Sequence, residues 1–297
     1  MPTKGGIKFK KLDKNYGFAE GNNIGMREAI KAGAKNIVLL NQDTFVKPDF
    51  LDKLLETSKN NSQAGVIQPL ILHYQDENKI QSWGNDLHYL GYGWSGGNWE
   101  PYKLQATSYK LNIPYASGAA VLYKTEMLEK IGLFDKNYFS YHEDSDICLR
   151  AKLAGYQVIL SPESIIHHDY DFPTDKNKIR YFWNEKNRIY LIKKIYTKKT
   201  LWLISPMNFF MSCGQLVFAL KKGYFFEFLK SRFWFLFNWQ KLSEARQQAQ
   251  QLRTISDREL TQDFSSEIKY QPVSNPLLDK IGNPIMKVWW KLVRLII

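Results

Sequence analysis

The segment His142-Glu143-Asp144-Ser145-Asp146 concentrates side chains that can accept protons or bind cations. Its three carboxylates lie within four residues and repel one another unless a metal, a cationic partner or a helix amino terminus compensates them. In one interpretation Ser145 or Asp146 caps a helix that begins here, and Asp146 pairs with Arg150 one turn later. We assign Asp146 to this structural role and Asp144 to chemistry, because a carboxylate near a helix amino terminus stays ionised, as a general base must.

Asp43 follows the apolar run 37–40, which is typical of a buried strand. Ligands of open α/β sheets bind beyond the carboxy ends of the strands, so this aspartate stands where a metal or a diphosphate can be held. The other role open to Asp43 is a turn or helix cap, which is the commoner role for a lone aspartate after a strand.

Two adjacent histidines, His167 and His168, end a later strand near the same edge of the sheet. Neighbouring residues of a strand point to opposite faces, so at most one of them faces the site. An aspartate and a histidine together with diphosphate oxygens suit Mg²⁺ or Mn²⁺, and the imidazole favours Mn²⁺.

Alternating apolar runs and amphipathic stretches up to about residue 170 predict an α/β domain to position these side chains. A helix over 24–31 is predicted to be capped at Gly21-Asn22-Asn23, and others to begin near residues 48 and 125. The glycine-rich stretch 91–98 predicts a mobile loop or a hairpin. Strands are predicted at 7–12 (edge or half-buried), 37–40 (parallel and buried on both faces), 65–72, 117–123 and 156–160.

Six motifs in a fixed order resemble those of family 2 glycosyltransferases, particularly the rhamnosyltransferase-like bacterial members. They are Asn15-x-Gly17-Phe18-Ala19-x-Gly21-Asn22-Asn23-x-Gly25, Leu39-Leu40-Asn41-Gln42-Asp43-Thr44, Ser117-Gly118-Ala119, Gly132-x-Phe134-Asp135, His142-Glu143-Asp144-x-Asp146 with Arg150, and Pro162 followed by His168. The resemblance covers roughly residues 7–190. It implies a GT-A-type α/β fold, with a mixed, mainly parallel sheet flanked by helices.

The resemblance also implies roles for individual residues. Asn41-Gln42-Asp43 matches the Asp-x-Asp element that binds the divalent metal on the sugar nucleotide, which leaves Asp43 as the metal ligand together with His168. Asp144 matches the catalytic base. Ser117 and Gly118 match the segment near the donor sugar, where a missing side chain lets substrate approach the backbone. Asn41, Gly17 and Asn22 join them as donor-binding residues.

The implied reaction is a single displacement with inversion, in which Asp144 deprotonates an acceptor hydroxyl that attacks the anomeric carbon of a nucleotide-diphosphate sugar. The metal neutralises charge on the departing nucleoside diphosphate. The acceptor is a glycan or a lipid-linked sugar in cell-surface polysaccharide synthesis. Glu143 is a further acceptor candidate, and four aromatic residues are candidates either for stacking on acceptor sugars or for buried packing: Trp83, Tyr92, Trp94 and Trp99.

One departure from the family concerns the opening of the chain. Typical members begin with a buried strand, a helix and a second strand with an acidic residue for the nucleotide, and this chain starts after all of them. We therefore expect an amino-terminally truncated enzyme with little activity as given. The alternative function is an inactive remnant of such an enzyme.

The carboxy-terminal part carries the whole net charge of +12, since residues 1–170 hold 19 basic and 19 acidic side chains and residues 171–297 hold 22 and 10. Residues 200–220 contain no charge, and residues 223–239 mix phenylalanine and tryptophan with Lys230 and Arg232. This pattern predicts attachment to an anionic membrane surface, or else an aromatic subdomain packed on the core. We divide the chain into a catalytic domain, 1–190, and a helical extension, 191–297.

The partners and the compartment follow from what the sequence lacks. No recognised nucleic-acid motif accompanies the positive charge, so nucleic acid is not an expected partner. Cys148 and Cys213 do not form a disulfide framework, and residues 1–6 lack the apolar core of a signal peptide. We expect a cytoplasmic protein at the inner face of the cell membrane.

Overall fold

The computed structural model describes residues 7–102, 109–170, 178–269 and 276–297. The amino-terminal residues 1–6, which lack a signal-peptide core, lie outside these ranges. A six-stranded sheet forms the centre, in the order β1-β7-β3-β8-β2 with β4 beside β3, and β5 and β6 form a separate hairpin. The strands are β1 (Asn36–Leu40), β2 (Thr44–Val46), β3 (Ala64–His73), β4 (Ile80–Ser82), β5 (Asn85–Leu87), β6 (Gly93–Ser95), β7 (Ala120–Lys124) and β8 (Gln157–His168).

Helices flank this sheet and make up most of the carboxy-terminal region. They are α1 (Gly17–Lys31), α2 (Phe50–Asn60), α3 (Thr125–Ile131), α4 (Glu143–Leu153), α5 (Lys178–Ile195), α6 (Lys198–Lys222), α7 (Phe225–Phe237), α8 (Trp239–Gln251), α9 (Asp257–Leu260) and α10 (Asn283–Arg294). The expected mixed α/β class with a helical carboxy-terminal region is therefore confirmed.

Strand direction differs from the expectation of a mainly parallel sheet. Among the strands of the described residues, only β3 and β8 pair in parallel, and every other pairing of two strands is antiparallel. All ten residues of β3 are buried, which explains its largely apolar sequence. An apolar run of this kind indicates that both faces of a strand are covered. It does not indicate whether the neighbouring strands are parallel or antiparallel.

The first elements also differ from their predictions. Residues 7–12 form no strand and are mostly exposed, so alternation alone was misleading there. Helix α1 begins at Gly17 with Tyr16 at the cap position, so Asn22 lies inside the helix and does not cap it. The Asn15 side chain accepts a hydrogen bond from the Gly17 N–H at 2.8 Å just before the helix. Strand β1 is an edge strand with Leu40 exposed, rather than a strand buried on both faces.

Two apolar clusters lie against the sheet, and the larger one joins the two parts of the chain. The smaller cluster packs α2 on the sheet through Leu54, Ile71 and Ile166. The larger cluster contains Tyr123 and Ile147, and also residues of the carboxy-terminal region such as Met286. Helix α5 runs through the predicted boundary at residue 190, and the division of the chain there stays a prediction.

Candidate active site

The ends of neighbouring strands bring Asp43 and His168 together. Asp43 lies in the turn between β1 and β2, and β2 pairs antiparallel with β8 so that Thr44 stands opposite His168. The Asp169 N–H donates to the Asp43 carbonyl at 2.9 Å, and the Asn41 N–H donates to the Ala119 carbonyl at 2.8 Å. These backbone bonds fix the segment 41–43 between β7 and β8, at the edge where a ligand of the sheet is expected.

The two nitrogens of His168 have different partners. Nδ1 lies 2.6 Å from Oε1 of Gln81, and Nε2 lies 3.1 Å from Oδ1 of Asp43. The Gln81 amide nitrogen donates to the His168 carbonyl at 3.3 Å, which orients the amide and leaves its oxygen facing the ring. An amide oxygen can only accept, so Nδ1 carries the proton and Nε2 presents a lone pair toward the Asp43 carboxylate.

A lone pair and a carboxylate oxygen that face each other at 3.1 Å are stabilised by a cation beside them, either a proton on Nε2 or a metal ion. Burial lowers the pKa of His168, although Asp43 opposes that shift, so the ring favours its neutral form. A neutral imidazole and a carboxylate are suitable ligands for Mn²⁺ or Mg²⁺, and Gln81 is the kind of outer partner that orients a ligating histidine. The described residues contain no group of three or more histidine, cysteine, aspartate or glutamate side chains that could hold a metal ion. The two side chains therefore fit a site completed by diphosphate oxygens and water.

His167 is directed away from Asp43, as the alternation of a strand requires. Its Nε2 lies 3.9 Å from an Oε2 of the exposed Glu77, and burial lowers its pKa. The histidine next to Asp43 is thus His168, the one that the family resemblance selects.

Asp144 lies in the first turn of α4 beside Gly118. Its Oδ1 accepts from the Ser145 N–H at 2.7 Å, and its Oδ2 accepts from the Gly118 N–H at 3.4 Å. Asp146 pairs with Arg150 at 2.7 Å, as predicted. Neither Ser145 nor Asp146 caps the helix, however, since the residue at the cap position is His142, in a left-handed conformation.

The pKa values of Glu143 and Asp144 lie above the ordinary range of carboxyl groups, and that of Asp144 still leaves it mostly ionised at neutral pH, as expected. Burial raises the pKa of Asp144 to about 6, against the lowering effect of the Ser145 and Gly118 N–H groups. Burial and the Asp144 charge raise the pKa of Glu143 to about 8. Desolvation thus outweighs the helix amino terminus at this site. Glu143 is only 6% exposed and its Oε2 has no hydrogen-bond partner among the described residues, so its acceptor role stays a prediction.

The residues expected near the donor have clear structural contacts. The Ser117 N–H donates to Oε1 of the buried Gln68 at 2.6 Å. A side chain at Gly118 would meet the Phe18 ring at 3.1 Å, so Phe18 already fills that space. The Asn22 amide donates to the Phe18 carbonyl within α1 at 2.8 Å. Gly17 has φ +77° and no room for a side chain against Phe139. Donor contact by these residues stays a prediction.

The aromatic candidates are mixed in exposure. Trp83 is half-buried and packs edge to face with Tyr109, and the half-buried Trp94 donates through Nε1 to Asp86 at 3.1 Å. Trp99 is 56% exposed and stacks on the ring of His73, with centroids 3.9 Å apart. Trp99 is thus the one of these three tryptophans with a largely open surface, and the acceptor roles of Trp83 and Trp94 stay predictions.

The sequence did not predict the contacts of Gln81 and Asn187 at the candidate site. Gln81 lies on a short strand without a motif, and only the pairing of β3 with its neighbours reveals its contact with His168. Asn187 lies on α5, and its amide contacts the loop in front of α4. No pattern in the sequence indicates either contact.

Comparison with known proteins gives one family. A family model described as glycosyl transferase family group 2 matches residues 36–241, more than half of the chain. The dTDP-rhamnosyl transferase RfbF of Shigella flexneri is 24% identical over 226 residues, which are 71% of this chain and 71% of the relative. The N-acetylglucosaminyl-diphospho-decaprenol L-rhamnosyltransferase of Mycobacterium tuberculosis is 27% identical over 142 residues. That match covers 44% of this chain and 46% of the relative, so the chain spans less than half the length of the mycobacterial protein.

Solved structures with a similar course of the chain include two with bound nucleotides. GalNAc-T7 with UDP, GalNAc and Mn²⁺ has a TM-score of 0.49 at 15% identity, over 66% of this chain and 38% of the other. The mannosyltransferase PcManGT of Pyrobaculum calidifontis, in complex with GDP-Man and Mn²⁺, has a TM-score of 0.39 at 12% identity, over 95% of this chain and 63% of the other.

Proposed function

Because the chain belongs to glycosyl transferase family group 2, we propose that it transfers a sugar from a nucleotide-diphosphate sugar to an acceptor hydroxyl with inversion at the anomeric carbon. The observation that carries this proposal is the pair of opposed groups at one sheet edge, a neutral imidazole and a carboxylate, in a site that also contains the half-buried carboxylate of Asp144. The names of the relatives support a deoxyhexose such as rhamnose as the donor sugar. We assign the protein to the GT-A type.

Asp144 is the proposed base. Its pKa of about 6 lies close to neutral pH, where a base is ionised and still basic enough to take a proton. The acceptor oxygen bonds to the anomeric carbon as the bond to the diphosphate breaks, and the acceptor proton passes to an oxygen of Asp144. The Gly118 N–H, which donates to Oδ2, orients the carboxylate for that transfer.

Asp43 and His168 are the proposed ligands of the divalent metal, and Gln81 holds the His168 ring in the tautomer that can ligate. When bound, the metal neutralises charge on the departing diphosphate. The test is binding of nucleoside diphosphates with Mn²⁺, measured by calorimetry. We expect Asp43→Ala to abolish the Mn²⁺-dependent part of the affinity while far-ultraviolet circular dichroism is unchanged. Unchanged binding would return Asp43 to the role of a turn residue.

The reaction itself is tested with a panel of nucleotide-diphosphate sugars and a lipid extract as the source of acceptors. We expect nucleoside diphosphate release that depends on both the metal and the acceptor, and a product whose anomeric proton coupling shows inversion. Retention of configuration would contradict the single displacement. Absence of release with every donor, from protein shown to be folded, would favour the inactive remnant.

Attachment to a membrane surface is proposed from the two faces of α6. This helix is long and apolar enough to cross a membrane by length and composition, with 17% of its most apolar window buried. Its inner face nevertheless makes polar contacts, because Asn208 accepts from Arg188 at 3.2 Å and the Gln215 carbonyl accepts from Tyr181 at 3.3 Å. Because these contacts hold α6 against the rest of the protein, we propose that the helix lies on the membrane surface and does not span the membrane.

The outer faces of α6 and α7 carry large apolar side chains. We call this group the aromatic face; its members are Trp202, Phe209, Val217, Leu220, Phe226, Phe233, Leu236 and Phe237, each at least half exposed. Lys198, Lys199, Lys221 and Lys222 lie at the two ends of α6, where they can meet anionic lipid.

Co-sedimentation with phosphatidylcholine vesicles, with and without phosphatidylglycerol, tests the attachment. We expect retention on the anionic vesicles that falls several-fold in Phe209→Ser/Phe233→Ser, whereas Phe45→Ser, an exposed phenylalanine far along the chain from these helices, retains full binding. Equal retention of all three proteins would contradict attachment through the aromatic face.

A further inference from the structure

The loop in front of α4 has an unusual backbone. Phe139, Tyr141 and His142 have φ values of 63°, 70° and 69°. Side chains of ordinary residues crowd the backbone in this left-handed region, so such a conformation persists only where surrounding contacts impose it. The loop ends at the residue before Glu143, and its course therefore sets where the first turn of α4 and Asp144 lie.

A single side chain contacts most of this loop. The Nδ2 group of Asn187, on α5, lies 3.0 Å from the Tyr138 carbonyl, 2.8 Å from the Ser140 carbonyl and 2.7 Å from the Tyr141 carbonyl. Three carbonyl oxygens accept only, so the group that faces them is the amide nitrogen, with one of its two hydrogens shared. Asn187 is fully buried, which excludes water as a ready substitute donor.

Other residues on the same face of α5 support the loop on both sides of Asn187. Trp183 stacks on Phe139, with centroids 5.0 Å apart, and Tyr190 packs edge to face on Tyr138 at 5.1 Å. Lys194 pairs with Asp135 at 2.9 Å and with Asp146 at 2.8 Å. Spacings of four, three and four residues place these side chains on one helical face along the loop.

Helix α1 closes the opposite side of the loop. The Ala19 N–H donates to the Phe139 carbonyl at 3.2 Å. A side chain at Gly17 would overlap that same carbonyl, so only glycine fits there. The loop is thus held between the start of α1 and the face of α5, and its backbone carbonyls have their principal donor in Asn187.

We propose that Asn187 is the positioning residue of the catalytic base: by donating to three carbonyls of the loop 138–141, it holds that loop in its left-handed course and so fixes Asp144 against Gly118. This inference rests on the proposed role of Asp144. The Asn187 amide donates to the loop carbonyls, so its effect on the reaction passes through the loop.

The test compares Asn187→Ala with Asn184→Ala. Asn184 is the same residue type one turn earlier, and among the described residues its amide donates only to the Arg180 carbonyl of its own helix, at 2.9 Å. We expect Asn187→Ala to lower kcat roughly 10- to 100-fold, the scale of a displaced catalytic group, with KM for the donor within about twofold. The acidic limb of its kcat pH profile moves, because the environment of Asp144 changes. Asn184→Ala keeps the wild-type kcat and profile.

A second variant, Asn187→Ser, and amide hydrogen exchange test the role of Asn187 even if Asn187→Ala does not fold. Asn187→Ser retains one donor, remains measurable if the alanine variant does not fold, and is expected to lose less kcat. Amide hydrogen exchange of residues 138–146 should accelerate in either variant, while β3 keeps its protection. Wild-type kcat and pH profile in Asn187→Ser, or unchanged exchange of that segment, overturns the proposal.

Asp144→Asn separates failure of this inference from failure of the proposed function. If Asp144→Asn transfers sugar at the wild-type rate, the role of Asp144 is wrong, and the exchange measurement alone decides whether Asn187 holds the loop. If Asp144→Asn is inactive and Asn187→Ala has the wild-type rate and exchange, only the positioning role is wrong.

Discussion

The two ends of the candidate site are built in different ways. At the end that we propose to hold the metal, here called the metal end, Asp43, His168 and Gln81 come together through the pairing of neighbouring strands. Each of these side chains lies at or next to a strand end. At the base end, Glu143 and Asp144 open a helix whose preceding loop is held by α5, more than 40 residues later in the chain. The register of neighbouring strands therefore positions the metal end, and contacts between α5 and the loop before α4 position the base end.

The electrostatics of the two ends are opposite as well. The metal end has an imidazole lone pair facing a carboxylate, and so lacks a positive charge. The base end holds two neighbouring carboxylates, the buried Glu143 and the half-buried Asp144, whose pKa values desolvation raises, and so it favours protons. The proposed reaction needs two positive charges: a cation that neutralises the metal end, and the acceptor proton that the base end takes up.

Loss of the base is expected to have the largest effect. Asp144→Asn keeps the size and the hydrogen-bonding N–H partners but cannot take a proton, so transfer should fall by a factor of about 10² to 10⁴. Binding of Mn²⁺ and nucleoside diphosphate should be unchanged. Steady-state transfer rates and calorimetry measure the two quantities. A parallel loss of both would mean that the two ends are not separable.

Loss of the outer partner of the histidine is expected to have an intermediate effect. Gln81→Leu removes the acceptor of the Nδ1 proton, so the His168 ring is free to change tautomer, and affinity for Mn²⁺ should fall roughly 10- to 100-fold. Nitrogen chemical shifts of His168 should show the mixture of tautomers. Gln157→Leu, an exposed glutamine on β8, is the control. Wild-type affinity in Gln81→Leu would remove Gln81 from the metal end.

Neutralising Glu143 is expected to have the smallest effect, and on stability rather than on metal binding. Its pKa rises from 4.5 to about 8 in the folded protein, so the ionised form destabilises the fold progressively as pH increases through that window, and costs nothing below it. Glu143→Gln should therefore raise the free energy of unfolding by about 1 to 3 kcal/mol at pH 9 and leave it nearly unchanged at pH 4.

Urea unfolding at the two pH values measures this effect. Glu129→Gln, at an exposed position on α3, is the matched control and should show no such gain. A gain in Glu143→Gln that is the same at both pH values would contradict a buried, proton-binding pair at the base end.

The metal end was largely predictable from the sequence because strand ends can be located from apolar runs. The position of Asp43 after β1 follows from the apolar run before it. Strand periodicity allows only one of the two histidines to face the site, and the family resemblance selects His168, which the structure brings to 3.1 Å from Asp43. Gln81 was not predictable, since its contact depends on the register of β4 against β3. A register between strands that are distant in sequence leaves no local pattern.

The base end was predictable only in its local part. The start of α4 and the Asp146–Arg150 pair follow from helix spacing and are confirmed. The ionised state expected for Asp144 at neutral pH agrees with its pKa of about 6, but the helix amino terminus does not hold that pKa down. Burial, a tertiary property that the sequence does not reveal, raises it instead. Asn187 escaped notice for the same reason, as did the antiparallel pairing of most strands. These errors share one cause, which is that contacts between distant segments decide the outcome.

The central claim is that the base end supplies the proton acceptor while the metal end holds the donor, and single-turnover transfer with bound donor tests it most directly. With saturating donor and Mn²⁺, the rate constant should fall about tenfold per pH unit below a midpoint near 6, the pKa to which burial raises Asp144. The fall should vanish in Asp144→Asn, whose small residual rate is independent of pH. A wild-type rate constant that is level between pH 5 and 8, or the same limb in Asp144→Asn, would contradict the account.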